Sequence, residues 1–185
     1  ADFKSMKGAV VNLSTGKAID SWGHEDILIS VEGVHGSSLA DTLIGDAVNN
    51  NLYGNDGNDL IQGLGGNDNL NGGNGNDTLI GGPGSDYLDG ADGFDRAVYL
   101  LSLNNYKVIR NNGGSWNVNY TGSTSTTPVA ERDGNDNMNR IERLVFADQV
   151  IALDIDGNAG TVAKVLGAVF GRDFVKNPFT TLVSS

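Results

Sequence analysis

Ten aspartates and no glutamate fall between residues 36 and 98, and six of the ten keep one spacing. Asp41, Asp59, Asp68, Asp77, Asp86 and Asp95 lie at multiples of nine residues, and Asn50 fills the one gap in the series. A carboxylate is a hard oxygen donor of the kind that alkaline-earth cations prefer. Carboxylates repeated at a fixed spacing therefore point to metal ligation rather than to acid–base catalysis. The same stretch holds no Lys or His and one Arg, Arg96, so its local charge is −9. So much like charge resists compaction unless cations neutralise it.

The spacing belongs to a repeat of seven nonapeptides without a gap: 36–44 (GSSLADTLI), 45–53 (GDAVNNNLY), 54–62 (GNDGNDLIQ), 63–71 (GLGGNDNLN), 72–80 (GGNGNDTLI), 81–89 (GGPGSDYLD) and 90–98 (GADGFDRAV). Each begins with Gly, six of the seven have Asp at position 6, and six have Leu or Ile at position 8. The exceptions are Asn50 and Ala97. A flexible Gly/Asn/Asp linker has no reason to repeat an aliphatic in phase. A solenoid that needs no metal would gain nothing from aligned carboxylates.

Position 8 sits in a short strand, and alternation turns it inward while its neighbours face water. Six loop residues and three strand residues make half a coil, so two units complete a coil of about 18 residues. Units two apart then share a side of the solenoid. Asp41, Asp59, Asp77 and Asp95 form one column; Asn50, Asp68 and Asp86 form the other. Ions are expected between successive members, at 41/59, 59/77, 77/95, 50/68 and 68/86, about four to five in all. The 50/68 slot has lost one carboxylate. Main-chain carbonyls complete each slot, with Gly54, Gly57, Gly63, Gly66, Gly72, Gly75, Gly81 and Gly84 letting the backbone come close. Asp46, Asp56, Asp89 and Asp92 lie off the columns and are read as solvated charges. Each coil buries only one or two aliphatic side chains, each contributing on the order of 1.5–3 kcal/mol. Ordering the backbone costs roughly 1–2 kcal/mol per residue, so metal has to help hold the fold.

The pattern resembles the G-G-x-G-x-D-x-U-x nonapeptide of hemolysin-type calcium-binding (RTX) proteins, and 72–80 and 81–89 match it at every fixed position. The resemblance implies an all-β, right-handed parallel β-roll that binds calcium. It also implies a secreted parent protein, exported by a type I apparatus, whose catalytic domain lies elsewhere. The segment 133–154 resembles the closing segment of such proteins, with Ile141, Glu142, Leu144, Phe146 and Asp148 in an I-E-x-L-x-F-x-D pattern. Asp133 and Asp136 are candidate ligands of one further ion there, with a plain turn as the alternative.

The flanks divide the chain into a lead-in of capping strands (1–35), the array (36–98), a closing β segment (99–156) and a capping helix with tail (157–185). Residues 8–13 and 26–34 read as strands joined through turns at 14–16 and 21–23. Residues 106–110 and 116–120 alternate like a hairpin. Val162, Val165, Leu166, Val169 and Phe170 have helical spacing before Gly171. Residues 154–158 (DIDGN) start like an EF-hand loop, but Val165 stands where the bidentate Glu belongs.

The net charge of −11 disfavours nucleic acid and anionic membrane as partners. Hydrophobic residues are 38% of the 185, and no apolar run is long enough to span a bilayer. Without Cys, neither a disulfide framework nor a thiolate zinc site can form. The chain opens at Ala1, carries no signal peptide, and reads as a processed piece of a longer protein. His24–Glu25 begins an H-E-x-x-H motif that Leu28 breaks, and both His24 and His35 are expected in surface loops. Two other function classes compete with a calcium-folding module. One is an anionic-polysaccharide module like the R-modules of alginate epimerases, with Lys107, Arg110, Arg132, Arg140 and Arg143 beside Tyr106, Trp116 or Tyr120. The other is a calcium-rigidified adhesin block.

Overall fold

Short inward-facing aliphatics separated by Gly-rich loops give a parallel β-roll. The structure is a computed structural model, and it describes residues 7–122 and 133–153. Two sheets face each other. The first is built on β1 (Val10–Asn12), β5 (Thr42–Ile44), β7 (Leu60–Gln62), β9 (Thr78–Ile80), β11 (Arg96–Val98) and β15 (Arg143–Val145). The second is built on β4 (Gly33–His35), β6 (Asn51–Asp56), β8 (Asn69–Asn74), β10 (Tyr87–Asp92) and β14 (Asn135–Asn139). Both ladders are parallel, and within the array each pairing joins residues 18 apart, as in Leu52↔Leu70 and Ile61↔Leu79.

Position 8 supplies the core from both sides. Leu43, Ile61, Leu79, Ala97 and Leu144 from one sheet meet Leu52, Leu70, Leu88 and Met138 from the other, all essentially inaccessible. The two sheets differ in strand length. Strands of the first sheet have three residues, as the repeat implies. In the second sheet β6, β8 and β10 have six, because pairing continues through positions 2 and 3, as in Asn55↔Gly73 and Asp56↔Asn74.

The ladders run beyond the repeats at both ends. Val11 pairs with Leu43 although 32 residues separate them, and Leu88 pairs with Met138 across 50. The surplus over one coil is spent on antiparallel strands. β2 (Lys17–Ile19) and β3 (Glu25–Ile27) extend the first sheet outward from β1. β12 (Tyr106–Arg110) and β13 (Trp116–Tyr120) form the expected hairpin and lie beside β14 in the second sheet. β16 (Val150–Ala152) pairs antiparallel with β15. Tyr99, Tyr106 and Phe146, with ring centroids 5.1–5.2 Å apart, plug the core at this end.

The N-terminal flank departs from the expectation of one strand over 26–34. The chain breaks at Ser30, whose φ of 52° no strand tolerates, so β3 ends in the first sheet and β4 begins in the second. Lys17–Ile19, read as part of a connection, is a strand of its own. His35 lies on β4 rather than in a loop, with its ring stacked 4.5 Å above Tyr53. The helix expected at 161–170, the turn at 154–158 and Arg132 lie outside the described residues.

Leu79 is fully buried in the middle of the roll, whereas Leu100 is 62% exposed. Leu79→Ala is therefore expected to destabilise the calcium-loaded protein by about 2–5 kcal/mol, and Leu100→Ala by less than about 0.5 kcal/mol. Denaturant unfolding in saturating calcium measures both. Similar costs at the two positions would contradict the core assignment.

Candidate metal centre

The backbone ties the carboxylate columns together. In one column the main-chain N–H groups of Asp41, Asp59 and Asp77 donate to Oδ1 of Asp59, Asp77 and Asp95, each at 2.8 Å. In the other, Asn50 and Asp68 donate to Oδ1 of Asp68 and Asp86 at the same distance. The sequence-predicted columns thus stand as two stacks, one on each edge of the roll. Both continue past the repeats. Asp86 donates to Asp136 Oδ1 at 3.0 Å, and Asp95 donates to Glu142 Oε2 at 2.7 Å.

Only one oxygen of each carboxylate is used in this way. Oδ2 of Asp59, Asp68, Asp77, Asp86 and Asp95 is buried without a hydrogen-bond partner among the described residues. An unpaired buried carboxylate oxygen is costly, because neither water nor a donor solvates its charge. Each orphan borders the first Gly of its own unit. A Cβ added at Gly54 would run into Asp59 Oδ2 and the Gly72 carbonyl, and one at Gly63 into Asp68 Oδ2 and the Gly81 carbonyl at 2.7 Å. At Gly72 the same clash involves Asp77 Oδ2 and the Gly90 carbonyl at 2.8 Å. The first Gly is required because a carboxylate and the next coil's carbonyl converge there.

The fourth position of the unit needs Gly for another reason. Gly57, Gly66, Gly75 and Gly84 have φ between 113° and 148°, and a Cβ at Gly75 or Gly84 would collide with the carbonyl of Gly57 or Gly66 below it. The first two units lack this Gly, having Leu39 and Val48 instead. Their column residues also differ. Asp41 accepts from Ser37 N–H at 2.5 Å, Ser37 Oγ at 2.8 Å and Ala9 N–H at 2.5 Å. Asn50 accepts from Asp46 N–H at 2.8 Å and donates to Asp46 Oδ1 at 3.2 Å. Protein donors satisfy these two side chains.

Position 5 carries a ladder that the nonapeptide pattern leaves open. Oδ1 of Asn49, Asn58, Asn67 and Asn76 accepts the main-chain N–H of Asn67, Asn76, Ser85 and Phe94 at 2.7–2.9 Å. Its signal in the sequence is the run of Asn at four successive fifth positions. Asp89, read as solvated, is instead buried and takes both Nε and Nη2 of Arg140, at 2.8 and 2.5 Å. Of the candidate closing pair, Asp136 joins the second column and also accepts from Tyr99 Oη at 3.0 Å. Asp133 is buried and accepts from Tyr106 Oη.

Among the described residues, no three His, Cys, Asp or Glu side chains converge on one point. Any ion here must therefore complete its shell with main-chain carbonyls. The donors are carboxylate and carbonyl oxygens only, without nitrogen or sulfur, and that chemistry suits calcium. The residues fit the ion.

Parallel coils with buried aspartates stacked at 18-residue intervals define a calcium-binding β-roll. Residues 35–70 and 62–97 match the RTX calcium-binding nonapeptide repeat (4 copies), so 35–97 is an RTX array. No curated protein matches the chain. No helix among the described residues is long and apolar enough to cross a membrane.

Burial raises the carboxyl pKa of six stacked aspartates in the ion-free roll. Asp59, Asp68, Asp77 and Asp95 are pushed up to about 6, Asp86 to about 7 and Asp136 to about 8, with neighbouring carboxylates adding to the desolvation. In the unfolded chain these groups titrate near 3.8, so folding without metal takes up protons. That stabilisation is complete below about pH 4 and is lost as pH rises through about 6 to 8. In chelator, the β-sheet signal is therefore expected to fall as pH rises across this window. The calcium midpoint should move the other way, rising as pH drops below about 6, because protons compete for the same oxygens. Circular dichroism with and without calcium reads both. An ion-free β-signal that grows with pH would contradict the assignment.

Proposed function

We propose that this chain is a calcium-triggered folding module of a larger secreted protein. It stays open in the low-calcium cytosol, leaves through a type I exporter, and closes into the roll outside the cell. The carrying observation is the set of five buried Oδ2 atoms with no donor among the described residues. Ions at 59/77, 77/95 and 68/86 supply what Oδ2 of Asp59, Asp77 and Asp68 lack, with the Gly72, Gly90 and Gly81 carbonyls against them. Slots 41/59 and 50/68 are weaker, since Ser37 and Asp46 already engage Asp41 and Asn50. The remaining glycines of the loops, Gly54, Gly57, Gly63, Gly66, Gly75 and Gly84, bring further carbonyls to the edges of the roll. Extracellular calcium modules bind at about 10⁻⁴–10⁻³ M, a range suited to switching on export. In this reading the flanks of 35–97 cap the array, and the chain catalyses nothing, since bound ions keep its carboxylates ionised.

A second reading, an anionic polysaccharide module, draws on one cleft of about 340 Å³ beside the closing coil. Arg110, Trp116, Asn139, Arg140 and Glu142 line it, and the Arg110 guanidinium lies 5.6 Å from the Trp116 ring centroid. The wider basic cluster expected from the sequence is split. Arg140 is held by Asp89, Arg143 stacks 4.4 Å from the Phe94 centroid, and Tyr106 is buried. Weaker alginate-oligosaccharide binding by Arg110→Ala with Trp116→Ala is the outcome this reading requires.

The folding module is tested by calcium titration. The chain is expected to lack β-structure in chelator at neutral pH and to gain it cooperatively with calcium, while magnesium substitutes poorly because it keeps its waters. Asp77 has partners on both sides, so Asp77→Ala should raise the calcium midpoint markedly more than Asp41→Ala. Asn50→Asp should lower it by restoring a carboxylate. Equal effects of the two alanines, with no gain from Asn50→Asp, would refute shared ions.

A further inference from the structure

The first column does not end with the last repeat. Asp95 is completely buried, and its Oδ2 has no donor among the described residues. At Asp59 and Asp77, earlier in the column, the orphan faces the carbonyl of a Gly 18 residues after the unit's own first Gly. At Asp95 that role passes to the Arg140 carbonyl: a Cβ at Gly90 would run into both Arg140 O and Asp95 Oδ2. Glu142 then stands where the next aspartate would, its Oε2 accepting the Asp95 N–H at 2.7 Å.

The loop making this last step is short. A repeat unit places the column carboxylate five positions after the facing carbonyl, as from Gly72 to Asp77, whereas Glu142 comes only two positions after Arg140. The extra methylene of Glu over Asp extends the reach of the shorter loop. Arg140 adopts φ 49°, a left-handed conformation, while its guanidinium is clamped in two places on the Asp89 carboxylate. That clamp fixes the turn that aims its carbonyl at Asp95.

We propose that Asp95 Oδ2 of the last repeat, with the Arg140 carbonyl and the Glu142 carboxylate from beyond 35–97, forms a closing calcium site. The proposal rests on the calcium-module reading above, and it makes Arg140 and Asp89 positioning residues. The ion locks the final coil, and with it β15 and β16, onto the array.

The test counts bound ions by native mass spectrometry of the full chain at saturating calcium, alongside the calcium midpoint of folding. Glu142→Gln keeps an acceptor for the Asp95 N–H but removes the charge, and is expected to lose one ion and raise the midpoint. Asp89→Asn alters no ligand side chain but removes the charge and one of the two acceptors that hold Arg140, and is expected to weaken or lose the same one ion. If both variants keep the wild-type count and midpoint, the site does not exist. If Glu142→Gln fails to fold in calcium while Asp89→Asn keeps the full count and midpoint, Glu142 is purely structural and the proposal falls. If Glu142→Gln fails to fold and Asp89→Asn loses one ion or raises the midpoint, the site stands. A wild-type chain that binds no calcium would overturn the array reading itself, and this site with it.

Discussion

A carboxylate held by one oxygen and orphaned at the other is the constraint on which this roll depends. The backbone N–H of one coil grips Oδ1 of the next, fixing the stacking distance, and the same contact buries Oδ2 where no donor among the described residues reaches it. Protons can relieve the charge in part, as the raised carboxyl pKa values indicate. A cation relieves it completely and also draws in the next coil's carbonyl. Coil stacking and ion binding thus share atoms, and neither is complete without the other.

The unit's composition follows from that sharing. The first Gly is needed where a carboxylate and a carbonyl converge, and the fourth where the chain turns at positive φ under its neighbour's carbonyl. Asn at the fifth place repeats the aspartate contact with a neutral side chain, binding coil to coil without another charge. That leaves position 8 as the sole regular source of core. Two aliphatics per coil are a thin core for a backbone of about 18 residues, since ordering each residue costs roughly 1–2 kcal/mol. The ions must supply the difference.

The array was legible because its physics is periodic. Leu at the eighth place and Asp at the sixth gave the roll, the two columns and the direction of every core side chain. The hairpin 106–120 was legible from alternation alone. Legibility failed where the period broke. Between Leu88 and Met138 the insertion of 32 residues beyond one coil hides that Asp136 continues the column of Asp68 and Asp86. The shortened loop at 140–142 likewise hides Glu142 behind the wrong residue type. Asp89 looked solvated because its partner, Arg140, lies 51 residues away. Residues 26–34 alternate convincingly across a break that only Ser30 marks, and serine rarely announces a positive φ.

The two insertions leave the roll at the same corner, where the chain exits a three-residue strand of the first sheet: after Asn12 at one end and after Val98 at the other. Both return with antiparallel strands that pair onto the outermost coil. The stacking constraint gives a reason. A further parallel coil would add a loop on each edge, and each would need its own carboxylate, glycines and ion. An antiparallel strand satisfies the exposed backbone of the edge while stacking no loop on the columns. The first sheet is covered in this way by β2 at one end and β16 at the other, and the second sheet by β13. Among the described residues, the second sheet's remaining edge is β4, three residues long, which limits the pairing surface it offers. Growth of the roll is therefore bounded by the supply of ion-binding loops, and its ends are sealed by strands that need none.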